Sequence, residues 1–327
     1  MVRPILKLAS PGGKRGRLSV LVLHRVLAEA DTLFPEAMDI PRFTELCRWL
    51  DSLFNVVPLD EGARLLKDGG LPERALAITF DDGYADNHDV ALPILRRHGL
   101  PATFFIATGF LDRGCMWNDL VIEAFRHSKL QRADLSDLLG SGAYSLADPH
   151  GRRSALEEVI GKVKYLQPER RLDLVSRIGA RLEVDPPPGM MMTTDEVVAL
   201  RKAGMQIGAH TVSHPILATL DAAEKRREIG ESKRVLEAVL GERVDLFAYP
   251  NGKPGEDFDP DSVLAVREAG FAAAVTTARG AANRRADVFQ IPRFTPWDRT
   301  RLRFGVRMLS TLWASRHHVP KPGEVAY

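Results

Sequence analysis

The chain has 327 residues, of which 45% are hydrophobic and 27% are charged, so we expect a folded protein with a large core rather than a disordered one. Lys and Arg total 45 against 43 for Asp and Glu, and a net charge of +2 gives no reason to expect nucleic acid as a partner. The two cysteines, Cys47 and Cys115, form no CxxC pair and cannot by themselves supply a disulfide framework or a zinc–thiolate site.

Residues 1–17 form an N-terminal extension that precedes the first predicted strand. Basic residues at 3, 7, 14, 15 and 17 interrupt it, so it has no apolar run of signal-peptide length. No segment of the chain has 18 uninterrupted apolar residues, and no transmembrane helix is expected. The sequence therefore predicts a cytoplasmic protein.

Seven short apolar runs are predicted as strands, and helical patterns separate most of them. In chain order these runs are Ser19–His24, Ala75–Phe80, Ala102–Ala107, Met205–His210, Leu246–Tyr249, Ala273–Thr277 and Phe289–Phe294. Alternation of strands and helices predicts an α/β protein with parallel strands, arranged either as a barrel or as an open doubly wound sheet.

Helices are predicted from periodicity and from end signals. One covers Asn87–His98, with Pro93 as an internal irregularity. Thr193 and Glu196 form a capping box for a helix that continues to about residue 202. The clearest helix is Ala222–Leu240, which carries apolar residues near one face and charges over the rest.

A long stretch between Ala107 and Met205 contains helical patterns and no clear strand. We interpret residues from about 112 to 190 as a helical insertion that returns through a proline-rich linker. It is expected to cap the mouth of a site rather than to form a second domain. The barrel as a whole is assigned to residues 18–298.

The last segment, residues 299–327, is predicted as a basic helix followed by a tail. Between 299 and 318 arginines alternate with large apolar residues, a pattern that leaves two interpretations open. The commoner one is a terminal helix packed on the domain with its arginines in water. The other is an amphipathic helix that makes peripheral contact with an anionic membrane surface.

Reactive side chains stand at or just after the carboxyl ends of five predicted strands. These are His24, the pair Asp81 and Asp82, His210, Tyr249 and Arg293. In a βα barrel this end of the strands carries the active site, so the pattern favours a barrel over an open sheet.

The first motif is Thr79–Tyr84, with the sequence TFDDGY. Adjacent residues point to different sides as a strand ends, so Asp82 can bind a metal while Asp81 faces a substrate. The alternative is a simple turn, because Asp-Gly is a frequent turn pair.

The second motif is His210–His214, with the sequence HTVSH. Its position after an apolar run and before Pro215 predicts a strand end and a turn, and it does not match the HExxH helix of metalloproteases. Two histidines with one carboxylate are a known catalytic zinc set. For either histidine alone, a structural role in the core or on the surface is the usual alternative.

The third motif is Phe247–Gly252, with the sequence FAYPNG. A buried strand runs into a tight turn here, and such a turn can direct a backbone N–H at a developing oxyanion. Without the other two motifs, an ordinary loop would be the better interpretation.

With these three motifs the chain resembles the polysaccharide deacetylases of the NodB-homology type, carbohydrate esterase family 4, from about Leu18 to Phe294. The resemblance implies a distorted (β/α)7 barrel with a divalent metal, usually zinc, bound by Asp82, His210 and His214. It also implies that Asp81 is the general base and that the backbone N–H of Tyr249 contributes to the oxyanion hole.

The chain departs from many family members in two respects. No Arg stands in the third motif, and no late histidine motif supplies a general acid, since His317 and His318 lie too far along the chain. The branch that the chain resembles more closely contains the poly-N-acetylglucosamine deacetylases, in which an early histidine is the acid. Here that residue is His24, and Arg293 is the candidate that orients Asp81. The alternative for His24 is a strand-end histidine without a catalytic role.

The expected activity is metal-dependent removal of N-acetyl groups from N-acetylhexosamine units of a polysaccharide or its lipid-linked precursor. A deformylase or O-acyl esterase that acts on another carbohydrate with the same site is one alternative. A sugar-binding protein without activity is another, and the presence of both Asp and both His residues argues against it. The expected location is cytoplasmic, with possible contact at the inner face of the membrane through residues 299–318.

Overall fold

The structure is a computed structural model that describes residues 2–112, 114–140, 142–185, 187 and 189–314. Its strands are β1 Ser19–Leu23, β2 Asn55–Val56, β3 Ala75–Phe80, β4 Thr103–Ile106, β5 Arg132–Asp134, β6 Ala143–Ser145, β7 Gln206–Ala209, β8 Leu246–Ala248 and β9 Ala273–Val275. Its α-helices are α1 Val2–Ala9, α2 Ile40–Leu53, α3 Leu59–Asp68, α4 Leu92–Arg97, α5 Trp117–His127, α6 Ser136–Leu139, α7 Pro149–Val163, α8 Pro168–Arg181, α9 Thr194–Lys202, α10 Ala222–Leu240, α11 Pro260–Glu268 and α12 Arg301–Trp313.

The main sheet is parallel, with the strand order β1-β3-β4-β7-β8-β9, and β2 pairs with the start of β3. Two isolated parallel bridges, Val275 with Ile291 and Leu21 with Phe294, connect β9 back to β1. The sheet therefore curls into a barrel, which confirms the fold class expected from the sequence.

The prediction of a regular seventh strand over Phe289–Phe294 was wrong. Pro292 has no N–H to donate to a neighbouring strand, and the N–H of Arg293 donates to Ala278 O (3.1 Å) instead of continuing a ladder. Only single bridges on either side of this interruption join the segment to its neighbours. This irregular closure is what makes the barrel distorted.

Strands β1, β3 and β4 are buried on both of their faces, as parallel strands covered by crossover helices require. Alternate residues enter two different apolar clusters: Ile78 and Phe104 belong to the larger one, while Ala77 and Phe105 belong to the smaller one. Gly208 in β7 lies against the ring of Phe105, where a Cβ would be 2.5 Å from the ring. A glycine is therefore required at this position for the ring to fill the space.

The helical end signals lie where the sequence places them. Thr193 and Glu196 form both hydrogen bonds of the capping box at the start of α9. The helix predicted as Ala222–Leu240 has those bounds, and Gly241 follows it in the left-handed conformation with φ +68°. The segment predicted as one helix over Asn87–His98 begins instead as a π-helical turn, Asn87–Ala91, before α4.

The chain divides into two compact units. Of the described residues, the barrel unit contains 2–28, 38–111 and 192–314, and so includes both the N-terminal extension and α12. The second unit contains 29–37 and 112–191, with helices α5 to α8, the antiparallel pair β5–β6 and an apolar core of its own around Phe125, Leu156 and Ile178. The sequence indicated the helices of this insertion but not the β5–β6 pair or the contribution of residues 29–37.

No helix in the described part of the chain is long and apolar enough to cross a membrane. Of the segment 299–327 that was assigned to a basic helix and tail, α12 forms the helix, and residues 315–327 lie outside the described residues.

Candidate metal centre

Three side chains from two strand ends converge at one edge of the barrel. Asp82 is the second residue after β3, His210 is the first after β7, and His214 comes from the loop after β7. The Nε2 atoms of His210 and His214 lie 3.4 and 3.5 Å from Asp82 Oδ1, and the two imidazole rings have centroids 4.8 Å apart. The three residues that the sequence grouped as metal ligands are thus within reach of a single ion.

The chemistry of this donor set fits a divalent metal. Ligand atoms bound tetrahedrally to zinc at about 2.0–2.1 Å lie roughly 3.4 Å from one another, which is close to the separations found here. Asp82 Oδ1 is buried and has no hydrogen-bond partner, a costly arrangement for a carboxylate oxygen unless a cation satisfies it.

The hydrogen bond of His210 fixes the orientation of its ring. Its Nδ1 lies 2.8 Å from Ala248 O at the end of β8, so Nδ1 carries the proton and Nε2 faces Asp82. Burial lowers the pKa of His214 to about 4, which keeps that ligand neutral. Burial would also lower the pKa of His210, but the carboxylates of Asp81 and Asp82 outweigh it and raise that pKa. A metal cation would therefore compete with a proton at His210.

Backbone strain is concentrated around this group. Asp82, Thr211, His214 and Asn251 all have positive φ, at +77°, +66°, +53° and +58°. Non-glycine residues adopt this region at a cost, and such residues cluster at functional sites. Four of the seven positive-φ residues other than glycine in the described chain lie in the loops that carry the three motifs.

The HTVSH loop is held from two sides by residues that sequence reasoning missed. From α10, Glu228 Oε2 accepts hydrogen bonds from the backbone N–H groups of Val212 and Ser213, both at 2.9 Å, and Glu228 Oε1 accepts one from the Ser213 hydroxyl. From the turn after β4, the N–H groups of Thr108 and Gly109 donate to Thr211 O and Val212 O. No local pattern marks Glu228, because its partners lie about fifteen residues earlier in the chain.

Asp81 and Arg293 form a buried ion pair beside the candidate metal-binding group. Arg293 Nη1 and Nη2 each lie 2.7 Å from one oxygen of Asp81, and Nη1 also donates to Thr79 Oγ1. Burial alone would raise the pKa of Asp81, but Arg293 and the neighbouring histidines outweigh it and lower that pKa. Asp81 is therefore ionised at neutral pH, with both of its oxygens held in place.

His24 lies just after β1, and its side chain is exposed. It lies close enough to Asp81, Asp82 and His214 to interact with them electrostatically, so it belongs to the same edge of the barrel. The loop that carries it is fastened to the loop after β3, since Asn87 Nδ2 donates to His24 O (2.8 Å) and Asp86 accepts from Arg25 Nε and Val26 N.

The role expected for the Tyr249 backbone needs correction. Its N–H donates to Val275 O (3.2 Å) in the sheet, and its side chain is buried with the hydroxyl on Phe289 O, so neither group is available to a substrate. In the turn that follows, Pro250 has no N–H, and Gly252 and Lys253 use theirs within the turn. Among the described residues, the Asn251 N–H has no acceptor, and it replaces Tyr249 as the candidate oxyanion donor.

Comparison with known proteins identifies the family. The family described as polysaccharide deacetylase matches residues 68–274 of this chain. This chain is a member of the polysaccharide deacetylase family. It is 20% identical over 282 residues to YxkH of Bacillus subtilis (strain 168), a protein named for the same family, and this similarity covers 86% of the chain and 71% of YxkH.

Solved structures share the fold of this polysaccharide deacetylase. The Streptococcus pyogenes deacetylase PplD, in complex with acetate, has a TM-score of 0.57 at 18% identity, over 91% of this chain and 99% of PplD. IcaB from Ammonifex degensii has a TM-score of 0.58 at 18% identity, over 90% of this chain and 98% of IcaB. At this identity the similarity shows the fold alone.

Proposed function

We propose that this polysaccharide deacetylase is a metal-dependent hydrolase that removes N-acetyl groups from N-acetylhexosamine units, with its metal bound by Asp82, His210 and His214. The observation that carries the proposal is the buried Asp82 Oδ1, which has no hydrogen-bond partner and faces the Nε2 atoms of both histidines. Zinc is the metal that best suits two imidazoles and one carboxylate.

A divalent ion bound here would supply Lewis acidity, polarising the acetamide carbonyl and lowering the pKa of water. Asp81, ionised and held by Arg293, accepts the proton of the attacking water. The Asn251 N–H donates to the developing oxyanion. His24, which is exposed at this edge, gives a proton to the departing amine, so that acetate and a free amino sugar leave.

Two alternatives use the same or similar residues. Deformylation or O-ester hydrolysis on another carbohydrate needs the same base and oxyanion donor but places less demand on an acid, because an alkoxide is a better leaving group than an amine anion. A sugar-binding role without turnover would leave the strained backbone at Asp82 and His214 without a chemical purpose.

Release of acetate or formate from a panel of N-acetylated, N-formylated and O-acetylated oligosaccharides separates these alternatives. We expect acetate from the N-acetylated members and loss of that turnover in His24→Ala, with metal content unchanged. His150→Ala, an exchange of an exposed histidine of α7, is the control. Turnover only on esters would favour the esterase, and no turnover with metal bound would favour the binding role.

For the substrate, we propose a nucleotide- or lipid-linked intermediate of surface polysaccharide assembly. Support comes from the basic segment at 299–318. Including lipid-linked sugars in the same panel tests it, since higher turnover on soluble polymers would contradict it.

A further inference from the structure

Helix α12 has two apolar faces, only one of which is buried. Phe304, Met308 and Leu312 pack into the core of the barrel unit. A second stripe follows the spacing i, i+4, i+7, i+11, which places its members on one side of the helix. Of this stripe Leu309 is half-buried, and three members are exposed: Leu302 by 64%, Val306 by 55% and Trp313 by 62%.

Helix α1 packs beside α12 and adds to this surface. The two helices approach so closely that a Cβ at Gly305 would collide with the side chain of Val2. Leu6 is buried against the core, whereas Ile5 is 48% and Leu8 is 81% exposed. We call Ile5, Leu8, Leu302, Val306 and Trp313 the docking face. They are half of the large apolar side chains that are exposed in the described chain.

The charged side chains of α1 and α12 themselves are all basic. Neither α1 nor α12 contains an acidic residue. Arg3 and Arg303 are exposed and make no ion pair with any described residue, and Arg301 contacts only the Ser52 hydroxyl. Asp298, just before α12, is already paired with Arg307. Exposed apolar side chains are thus bordered by unneutralised arginines.

We propose that the docking face binds the surface of an anionic lipid bilayer, with α1 and α12 lying in the interfacial plane. Large apolar residues would enter the headgroup boundary while the arginines contact lipid phosphates, and Trp313 suits the interface because its ring is amphipathic. A second copy of the chain fits less well, because a twofold interface would bring the same arginines together. The inference is independent of the metal site.

Co-sedimentation with vesicles tests this on the full chain. We expect the protein to pellet with vesicles of phosphatidylcholine mixed with phosphatidylglycerol but not with phosphatidylcholine alone, and to be released by salt. Leu302→Gln with Val306→Gln should weaken partition about ten-fold, and Ile5→Gln with Leu8→Gln should do the same. Arg3→Gln with Arg303→Gln should weaken it at least about ten-fold.

Matched controls replace residues of the same kind elsewhere on the barrel unit. Leu264→Gln exchanges an exposed leucine of α11, and Arg226→Gln with Arg227→Gln exchanges exposed arginines of α10. Both should bind vesicles as the parent does. Equal binding to neutral vesicles, docking-face variants that bind like the parent, or self-association that these variants abolish would each overturn the proposal.

Discussion

At the scale of single residues, the candidate site depends on side chains whose hydrogen bonds fix the positions of the proposed metal ligands and base. The proximity of Asp82, His210 and His214 could be predicted from the motifs, because strand ends in a barrel share one edge. The carboxylate that supports the HTVSH loop could not, because its hydrogen bonds connect α10 to a loop elsewhere in the sequence. The prediction that the Tyr249 N–H contributes to the oxyanion hole was wrong for a related reason. The sequence does not show that this N–H donates a hydrogen bond to Val275 O within the sheet.

Glu228 is therefore expected to be a positioning residue for the metal site. Glu228→Ala leaves the N–H groups of Val212 and Ser213 without their acceptor, and the affinity for zinc should fall about 10–100-fold. Glu228→Gln retains an acceptor oxygen and should restore most of it. Zinc titration of the chelated protein measures this, with Glu231→Gln on the same helix as the control. Equal losses in the Gln and Ala variants would contradict this role.

Arg293 is expected to matter for both stability and turnover. Arg293→Met leaves the buried Asp81 carboxylate unpaired and should lower the free energy of unfolding by about 3–5 kcal/mol. Urea denaturation measures it. The double variant Asp81→Leu with Arg293→Met should recover much of the stability but no activity. A single variant as stable as the parent would show that the pair is not energetically coupled.

At the scale of elements, periodicity and caps predicted the helices well, while closely packed loops could not be foreseen. Thr193 and Glu196 carry their end signals locally, so α9 begins where expected. The π-helical turn at Asn87 could not be predicted, because it depends on a contact with a distant part of the chain. The Asn87 side chain is buried and donates a hydrogen bond to His24 O.

The turn after β4 gives a sharp test of loop packing. A Cβ at Gly109 would lie 2.7 Å from Val212 O, so Gly109→Ala must displace the HTVSH loop and weaken zinc binding, by about ten-fold or more. Gly230→Ala in α10 meets no atom within 4 Å and should instead stabilise the protein by about 0.5–1 kcal/mol. Zinc titration and urea denaturation of both variants measure these effects. Unchanged zinc affinity in Gly109→Ala would contradict the packing.

The start of α11 carries a pH-dependent contribution. Burial would raise the pKa of Asp259, but the ion pair with Lys225 and the bonds from Ser262 outweigh it and lower that pKa. The stabilisation is thus present above the ordinary pKa of about 3.9 and is lost as pH falls through the lowered value. Asp259→Asn should cost about 1–2 kcal/mol at pH 7, and the difference from the parent should shrink in acid. A difference that is constant with pH would contradict it.

At the scale of the whole molecule, the alternation of strands and helices predicted parallel strands, and the reactive residues at the strand ends favoured a barrel. The irregular closure of the barrel could not be predicted in this way. Pairing of β9 with β1 passes through residues 290–294, where Pro292 breaks the ladder and Arg293 turns inward to Asp81. The segment that closes the barrel therefore also places Arg293 beside Asp81, the proposed general base. The β5–β6 pair was missed because three-residue strands leave too little periodicity to detect.

The central claim is that Asp82, His210 and His214 bind a metal on which hydrolysis depends. Metal content and acetate release, measured on the same samples of parent and Asp82→Ala before and after chelation, test it most directly. We expect about one zinc per parent chain, loss of both metal and acetate release on chelation, return of both when zinc is added, and neither in Asp82→Ala. Acetate release by the metal-free parent, or an Asp82→Ala protein that retains metal and turnover, would contradict the account.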